Sequence, residues 1–167
     1  MKLLLTGISI AIWAGLLIAG AAFSAETSTV SATVTAQNIS VGVYDGTVAY
    51  GTLATSGTAN TETLGQEQSA QNEGNATEYF NIRGQDTTNG TPVWTLASAI
   101  GAANQYTHEA STSDGSTWYF LTTSYVTFVT GKAVSSTEPF DLRITVPSST
   151  TNFSQQDPDV IVQAVAS

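Results

Sequence analysis

The single histidine of this sequence, His108, is the side chain best suited to acid–base chemistry near neutral pH. It stands beside Glu109 in a run of strand-forming residues. A catalytic histidine needs a nucleophile to activate or a metal to bind, and one imidazole in a chain without cysteine makes a poor metal site. We therefore predict that His108 is structural, that the protein is not an enzyme, and that it has no catalytic residues and no cofactor.

The thirteen acidic residues suggest two further kinds of chemistry. Paired carboxylates can hydrolyse glycosides, and carboxylates clustered in turns are the usual ligands of calcium. Most acidic residues here lie in predicted turns or flank predicted strands, as solubilising groups do. We predict no metal site, while Asp114 and the run Asp157-Pro158-Asp159 leave calcium binding open as an alternative. The sequence has no phosphate-binding loop, dinucleotide fingerprint or Gly-x-Ser-x-Gly elbow.

Four Asn-x-Ser/Thr triplets are candidate sites of N-glycosylation, at Asn38, Asn75, Asn89 and Asn152. A chain rich in Ser and Thr acquires such triplets by chance, so each one alone carries little weight. In an exported protein whose host has the modification machinery, the four together favour glycosylation. Asn75 and Asn89 fall in predicted turns, from which a glycan would project into solvent.

The first 25 residues have the layout of a secretory signal peptide. Lys2 gives a positive start, residues 3–22 are almost entirely apolar, and Ala22-Phe23-Ser24 is typical of a cleavage site. A retained membrane anchor is the alternative, because the apolar run approaches the roughly 20 residues that span a bilayer. We predict that residues 1–25 are cleaved and that the mature protein is extracellular or bound to the cell surface.

The residues that follow the leader are strongly acidic. They include only three basic residues, Arg83, Lys132 and Arg143, against thirteen acidic ones, which gives a formal charge of −10. The phosphate backbone of nucleic acid repels such a surface, and so does an anionic membrane. We therefore predict no nucleic-acid partner, and no membrane partner after cleavage. Without cysteines the domain must be stabilised by its core instead of by disulfides.

Hydrophobic periodicity beyond residue 25 predicts strands and no helix. Short alternating or β-branched runs are separated by turn residues such as Asp45-Gly46, Asn89-Gly90 and Asp114-Gly115. The predicted strands are 29–36, 39–44, 48–53, 62–71, 78–83, 93–97, 106–111, 118–122, 125–130, 140–146 and 160–166. So many short strands in one domain predict an all-β fold of two packed antiparallel sheets, a β-sandwich, which we assign to residues 38–167.

Large aromatic side chains in the predicted strands are expected to fill the space between the sheets. They are Trp94, Phe80, Trp118, Phe120, Phe128 and Phe140. The alternative is an exposed platform on which sugars stack, for which Tyr119 and Tyr125 are the candidates.

Residues 26–37 follow the leader and alternate strictly from position 29 onward. On a strand, Val30, Ala32, Val34 and Ala36 share one face and the hydroxyl side chains share the other. This segment is either the first strand of the chain's own sandwich or a strand donated to a neighbouring copy. A donated strand satisfies an open sheet edge with main-chain hydrogen bonds and fills a groove with alternate side chains. Head-to-tail donation does not close on itself and therefore builds a filament.

The order of these features resembles the secreted matrix fibre proteins that include TasA and camelysin, and the related archaeal bundling pilins. The local likeness covers residues 48–53, 71–82, 140–146 and 160–166. The resemblance implies an Ig-like or jelly-roll sandwich without cysteines, polymerisation by donor-strand exchange, and insertion of the four apolar residues just named. The chain lacks the lysine richness and the long helical insertions of some bacterial members.

Taken together, the sequence predicts a structural subunit of an extracellular filament, either a pilus or a biofilm matrix fibre that promotes cell adhesion. Its partners would be further copies of the chain, joined head to tail through residues 26–37, with lateral bundling between filaments. The alternative is a monomeric secreted module that binds carbohydrate or another surface.

Overall fold

The computed structural model describes residues 26–99 and 102–167. The predicted signal peptide, residues 1–25, lies outside the described residues. The chain divides into one unit that ends at Val34 and a second from Thr35 to Ser167. In the first unit, residues 26–34 have no regular secondary structure and all their side chains are exposed. The strand predicted at 29–36 is therefore not a strand in a single copy of the chain.

The second unit contains ten strands and one short helix among the described residues. The strands are β1 (Val41–Tyr44), β2 (Thr58–Asn60), β3 (Gln68–Asn72), β4 (Glu78–Gly84), β5 (Thr95–Leu96), β6 (Gln105–Ser111), β7 (Tyr119–Phe120), β8 (Val126–Lys132), β9 (Thr137–Thr145) and β10 (Val160–Ala166). The helix α1 (Thr61–Leu64) has four residues. No helix in the described part of the chain is long and apolar enough to cross a membrane. The protein is thus nearly all β, as its sequence predicts.

The strands form two sheets. The larger one has the order β1-β3-β9-β6-β5, with β2 paired to β9 and β7 paired to β6. The smaller one has the order β10-β4-β8. Within the described ranges every pair is antiparallel except β5 with β6, which run parallel over two residues. The arrangement is consistent with the predicted β-sandwich, apart from this short parallel pair.

Both sheets contribute to one hydrophobic core. Along β4 every second side chain is buried, and Phe80 and Ile82 face inward. Phe140 and Leu142 of β9 belong to the same cluster. Phe128 lies between the two sheets, with ring-centroid distances of 6.3 Å to Phe80 and 5.7 Å to Phe140. Period-two alternation therefore places apolar residues of both sheets against each other.

Three aromatic residues predicted to fill the core lie outside it. Phe120 is exposed, and its two-residue strand β7 pairs with β6 alone among the described residues. Trp118 is half-buried under Arg143, whose guanidinium carbon lies 4.6 Å from the centre of the ring. Trp94 is half-buried and donates its indole N–H to Thr150 Oγ1 at 3.2 Å. Aromatic character alone did not distinguish these positions from the true core.

The segment 62–71, predicted as one strand, begins as helix α1 and continues as β3. Asn60 caps the helix, since its side chain accepts a hydrogen bond of 2.8 Å from the N–H of Thr63. Gly65 ends it in the left-handed conformation. The prediction of no helix is therefore wrong at this one turn, where local capping outweighs the alternating pattern. Strand β2, which precedes the helix, was not predicted.

Replacement of Phe80 by Ala should lower the free energy of unfolding by about 3–5 kcal/mol, because it leaves a cavity between the sheets. The neighbouring Tyr79→Ala is the matched control. Tyr79 lies on the outer face of the same strand, so its loss should cost less than about 1 kcal/mol. Urea denaturation of both variants measures the difference. Equal losses would contradict the inward assignment of Phe80.

Candidate functional site

A groove of about 1200 Å³ opens in the second unit and is lined by residues of both sheets. One wall consists of alternate apolar side chains on and just beyond β9, namely Phe140, Leu142, Ile144 and Val146. From the smaller sheet, Val160 and Val162 of β10 line the groove. At its margin, Phe153 is 81% exposed. The walls formed by β9 and β10 are therefore apolar, while polar residues such as Gln156 and Asp157 also line the groove. The lining includes one large side chain, Phe153, that the domain itself leaves uncovered.

The third wall of the groove is the segment 46–55, part of which was predicted to be a strand at 48–53. Asp45 and Gly46 both have positive φ, and the chain leaves the larger sheet at this turn. At Ala49 the backbone of the segment then pairs with the side chain of Gln66 instead of with a neighbouring strand. Ala49 donates its N–H to Gln66 Oε1 at 2.7 Å, and Gln66 Nε2 donates to the Ala49 carbonyl at 3.3 Å. The strand prediction fails here because a glutamine amide has taken the place of a neighbouring strand.

Strand β10 ends the smaller sheet. It pairs along its whole length with β4 and with no second strand among the described residues. Its first three residues, Val160, Ile161 and Val162, line the groove. An unpaired strand edge presents backbone N–H and C=O groups to any extended segment that comes alongside. The groove therefore combines apolar walls with a free strand edge.

His108, the predicted structural histidine, lies at the groove and is 1% exposed. Its Nε2 atom is 2.9 Å from the hydroxyl of Tyr50, which belongs to the third wall. Burial lowers the pKa of His108 to about 4 and raises the pKa of Tyr50 above its ordinary value. Both side chains are thus neutral near pH 7, and their hydrogen bond joins segment 46–55 to β6.

The stability of the protein should depend on pH through His108. Its pKa is about 4 in the folded protein, against 6.5 for a solvated histidine, so the unfolded chain takes up a proton first as pH falls. The contribution of neutral His108 is complete above pH 6.5 and is lost towards pH 4, by about 3 kcal/mol. Urea denaturation of the wild type and His108→Gln between pH 4 and 7.5 isolates this contribution as the difference between the two curves. A difference between wild type and His108→Gln that stays constant with pH would contradict the predicted contribution of His108.

The four residues predicted for a donated strand lie in two different environments. We call residues 26–35 the arm and residues 36–40 the arm base. In the arm, Val30 and Val34 are 90% and 96% exposed, and Ala32 is exposed as well. Ala36 lies in the arm base, where its carbonyl accepts a 2.8 Å hydrogen bond from Asn75 Nδ2. In a single copy of the chain, the apolar side chains of the arm therefore have no buried surface to pack against.

The four sequons also differ in accessibility. Asn38 and Asn89 are exposed. Asn75 is exposed but bonded to the arm base. Asn152 is buried, and its Nδ2 donates to the carbonyls of Asn89 and Pro92, both at 2.9 Å. In the folded domain the amide nitrogen of Asn152 is therefore engaged by backbone groups.

The carboxylates considered for calcium do not come together. Asp157 accepts hydrogen bonds from the Thr88 N–H and hydroxyl, and Asp159 accepts one from Gln85. Asp114 lies instead beside Glu67 and the buried Asp141, with one carboxylate oxygen of each within 4.8 Å of the others. Partial burial and the charges of Asp141 and Asp114 raise the pKa of Glu67. The three carboxylates thus repel one another.

Removal of this repulsion should stabilise the fold. Because the pKa of Glu67 is raised, its ionised form disfavours the folded state at neutral pH. Glu67→Gln should therefore raise the free energy of unfolding at pH 7, by at most about 1 kcal/mol since the site is exposed. The gain should shrink as pH falls through the pKa of Glu67, where the wild type becomes neutral. Thermal denaturation at pH 7 and pH 4 tests both statements, and a gain independent of pH would refute the electrostatic origin.

The two tyrosines considered as a sugar-stacking platform are separate features. Tyr125 is exposed, and the guanidinium carbon of Arg83 lies 5.1 Å from its ring centre. Tyr119 is half-buried, and its hydroxyl is buried without a hydrogen-bond partner among the described residues. Neither residue lines the groove.

No protein-family model matches this chain, and no curated protein or solved structure matches it either. Function is therefore inferred from the geometry of the arm, the arm base and the groove.

Proposed function

We propose that this protein is a structural subunit of an extracellular filament, in which the arm of one copy occupies the groove of the next. The observation that carries the proposal is the near-complete exposure of Val30 and Val34 on a strictly alternating segment. Exposure of two such side chains is unfavourable, and burial contributes about 1.5–3 kcal/mol for each. A second copy of the chain offers an apolar groove of suitable chemistry.

The spacing of the apolar residues in the arm agrees with that of the groove. Alternate residues on a strand are roughly 6.6 Å apart. The three apolar positions of the arm, 30, 32 and 34, therefore repeat at the same interval as the alternate positions between 140 and 146 that line the groove. The exposed edge of β10 supplies main-chain partners for a strand lying between these walls. The hydroxyl side chains of the arm would then face solvent.

Charge favours an apolar interface over an electrostatic one. Beyond residue 25 all three basic residues are already engaged within the domain. Arg143 pairs with Glu109 at 2.6 Å and Lys132 pairs with Glu138 at 2.5 Å, while Arg83 lies over the ring of Tyr125. Copies with a formal charge of −10 repel one another, so assembly must be driven by apolar burial and backbone pairing.

The arm base and the groove lie near opposite ends of β4. In the arm base, the N–H of Ser40 binds the carboxylate of Glu78, the first residue of β4. The β10 residues of the groove pair with the other end of the strand, Val160 with Gly84 and Val162 with Ile82. Seven residues of strand separate the two ends by roughly 20 Å. Donor and acceptor at different places allow a head-to-tail contact, which builds an open filament when the rotation between copies does not close a ring.

In this proposal, residues 1–25 direct export and are removed, and the filament is a pilus or a biofilm matrix fibre that promotes adhesion. Ser- and Thr-rich surfaces allow lateral bundling through polar contacts, and glycans at exposed sequons are compatible with it. An Ig-like or jelly-roll topology and kinship with the TasA and camelysin fibre proteins and archaeal bundling pilins belong to the same proposal. Its support is the resemblance in sequence layout together with the nearly all-β fold.

Replacement of both Val30 and Val34 by Asp should abolish filaments, because two carboxylates cannot be buried in an apolar groove without a large cost. The matched control is Ser31→Asp with Thr33→Asp, which adds the same charge to the hydroxyl face of the arm. Negative-stain electron microscopy and sedimentation of purified mature protein should show filaments for the wild type and the control. Loss of filaments in both variants would attribute the effect to charge and not to burial.

A mixing experiment identifies the acceptor. The Val30/Val34 variant retains an intact groove, and Val162→Asp retains an intact arm, provided that circular dichroism shows it to be folded. Each alone should remain monomeric, while the mixture should give one-to-one heterodimers that do not grow. Monomers under all conditions, including the wild type, would refute the filament and favour the alternative of a monomeric carbohydrate-binding or adhesive module.

A further inference from the structure

The arm base is held by the loop of residues 73–77 between β3 and β4, together with Glu78 at the start of β4. Asn75 makes three hydrogen bonds to it. Its Nδ2 donates to the Ala36 carbonyl at 2.8 Å, its Oδ1 accepts from the Asn38 N–H at 2.7 Å, and its backbone N–H donates to the Asn38 carbonyl at 3.0 Å. A side-chain amide has the donor and acceptor of a peptide group, so Asn75 pairs with residues 36 and 38 as a strand residue would.

Neighbouring residues extend this pairing. Glu73 donates its N–H to the Ser40 carbonyl at 2.9 Å, and the carboxylate of Glu78 accepts from the Ser40 N–H at 2.9 Å. Gly74 allows the close approach, because a Cβ atom there would overlap the Asn38 carbonyl oxygen and the Glu78 carboxylate. The arm base is thus bonded at three successive alternate residues.

The loop that binds the arm base is itself fixed. The buried Asn72 donates from Nδ2 to the carbonyls of Ala76 and Lys132, at 2.8 and 2.9 Å, and accepts from the Gly74 N–H at 2.8 Å. These bonds hold Gly74 and Ala76, the residues immediately before and after Asn75. The loop therefore holds Asn75 in one conformation. An exposed asparagine in a flexible turn would sample several conformations.

We infer that Asn75 is a positioning residue for assembly, and that its amide fixes the point from which the arm starts. The inference depends on the proposed function, since positioning matters only if the arm enters another copy. An arm that starts from a fixed point reaches the next groove with less loss of conformational entropy than a free chain does. Asn75 is also the first residue of one of the four sequons, and this positioning role does not require a glycan.

The test compares Asn75→Ala with Thr77→Ala in the mature protein. Both substitutions destroy the sequon, but only the first removes the side-chain amide, and the exposed Thr77 is not needed for any bond described above. Amide hydrogen exchange of Asn38, followed by NMR, should accelerate about tenfold in Asn75→Ala, as expected for loss of one hydrogen bond. It should be unchanged in Thr77→Ala. Unchanged exchange in Asn75→Ala would overturn the inference.

Filament growth provides the second measurement, followed by light scattering at equal protein concentration. Asn75→Ala should grow several-fold more slowly than the wild type, and Thr77→Ala at the wild-type rate. Equal growth of Asn75→Ala and wild type would overturn the positioning role and leave the filament proposal intact. Slow growth of both variants would assign the effect to a glycan and also overturn the inference. If the wild type forms no filaments, the proposed function fails, while the exchange data still decide whether Asn75 holds the arm base.

Discussion

The contact between the two sheets through Phe80, Phe128 and Phe140 is the interaction on which the rest of this domain depends. It buries the inner faces of β4 and β9 in one core, without disulfides. Phe140 also lines the groove, so the groove is continuous with the core and not a separate surface depression. Any segment that enters it would extend the packing already present between the sheets.

Strand β1 ends just before the segment that forms one wall of the groove. After Tyr44 the chain turns at Asp45 and Gly46 and leaves the larger sheet, and side chains hold the middle of the following segment 46–55. Gln66 binds the backbone of Ala49, and the Tyr50 hydroxyl lies against His108. The turn at Asp45 and Gly46 therefore directs the chain into one wall of the groove, on which the proposed assembly depends.

Side-chain amides replace strand partners at several places in this protein. Gln66 does so for segment 46–55, Asn75 for the arm base, Asn72 for the loop before β4 and Asn152 for the loop around Asn89. Backbone groups that lack a strand partner need another hydrogen-bond partner to be held in place, and an amide can donate and accept without adding a charge. This explains how a chain with 10% charged residues fixes long irregular loops, and why much of its Asn and Gln is structural.

From the sequence alone the all-β character, the inward position of Phe80 and Phe140, and the turn at Asp45-Gly46 could be predicted, because alternation and positive-φ turn residues act locally. The strict alternation of residues 29–36 and the single histidine, His108, were likewise visible in the sequence. Only the tertiary structure decided that 48–53 is not a strand, that Asp114 faces Glu67 and Asp141, and that Asn75 holds the arm base. Those outcomes depend on partners distant in sequence, such as Gln66 with Ala49, 17 residues apart, and Asn75 with Asn38, 37 residues apart. No local pattern encodes which distant side chain will satisfy a backbone group.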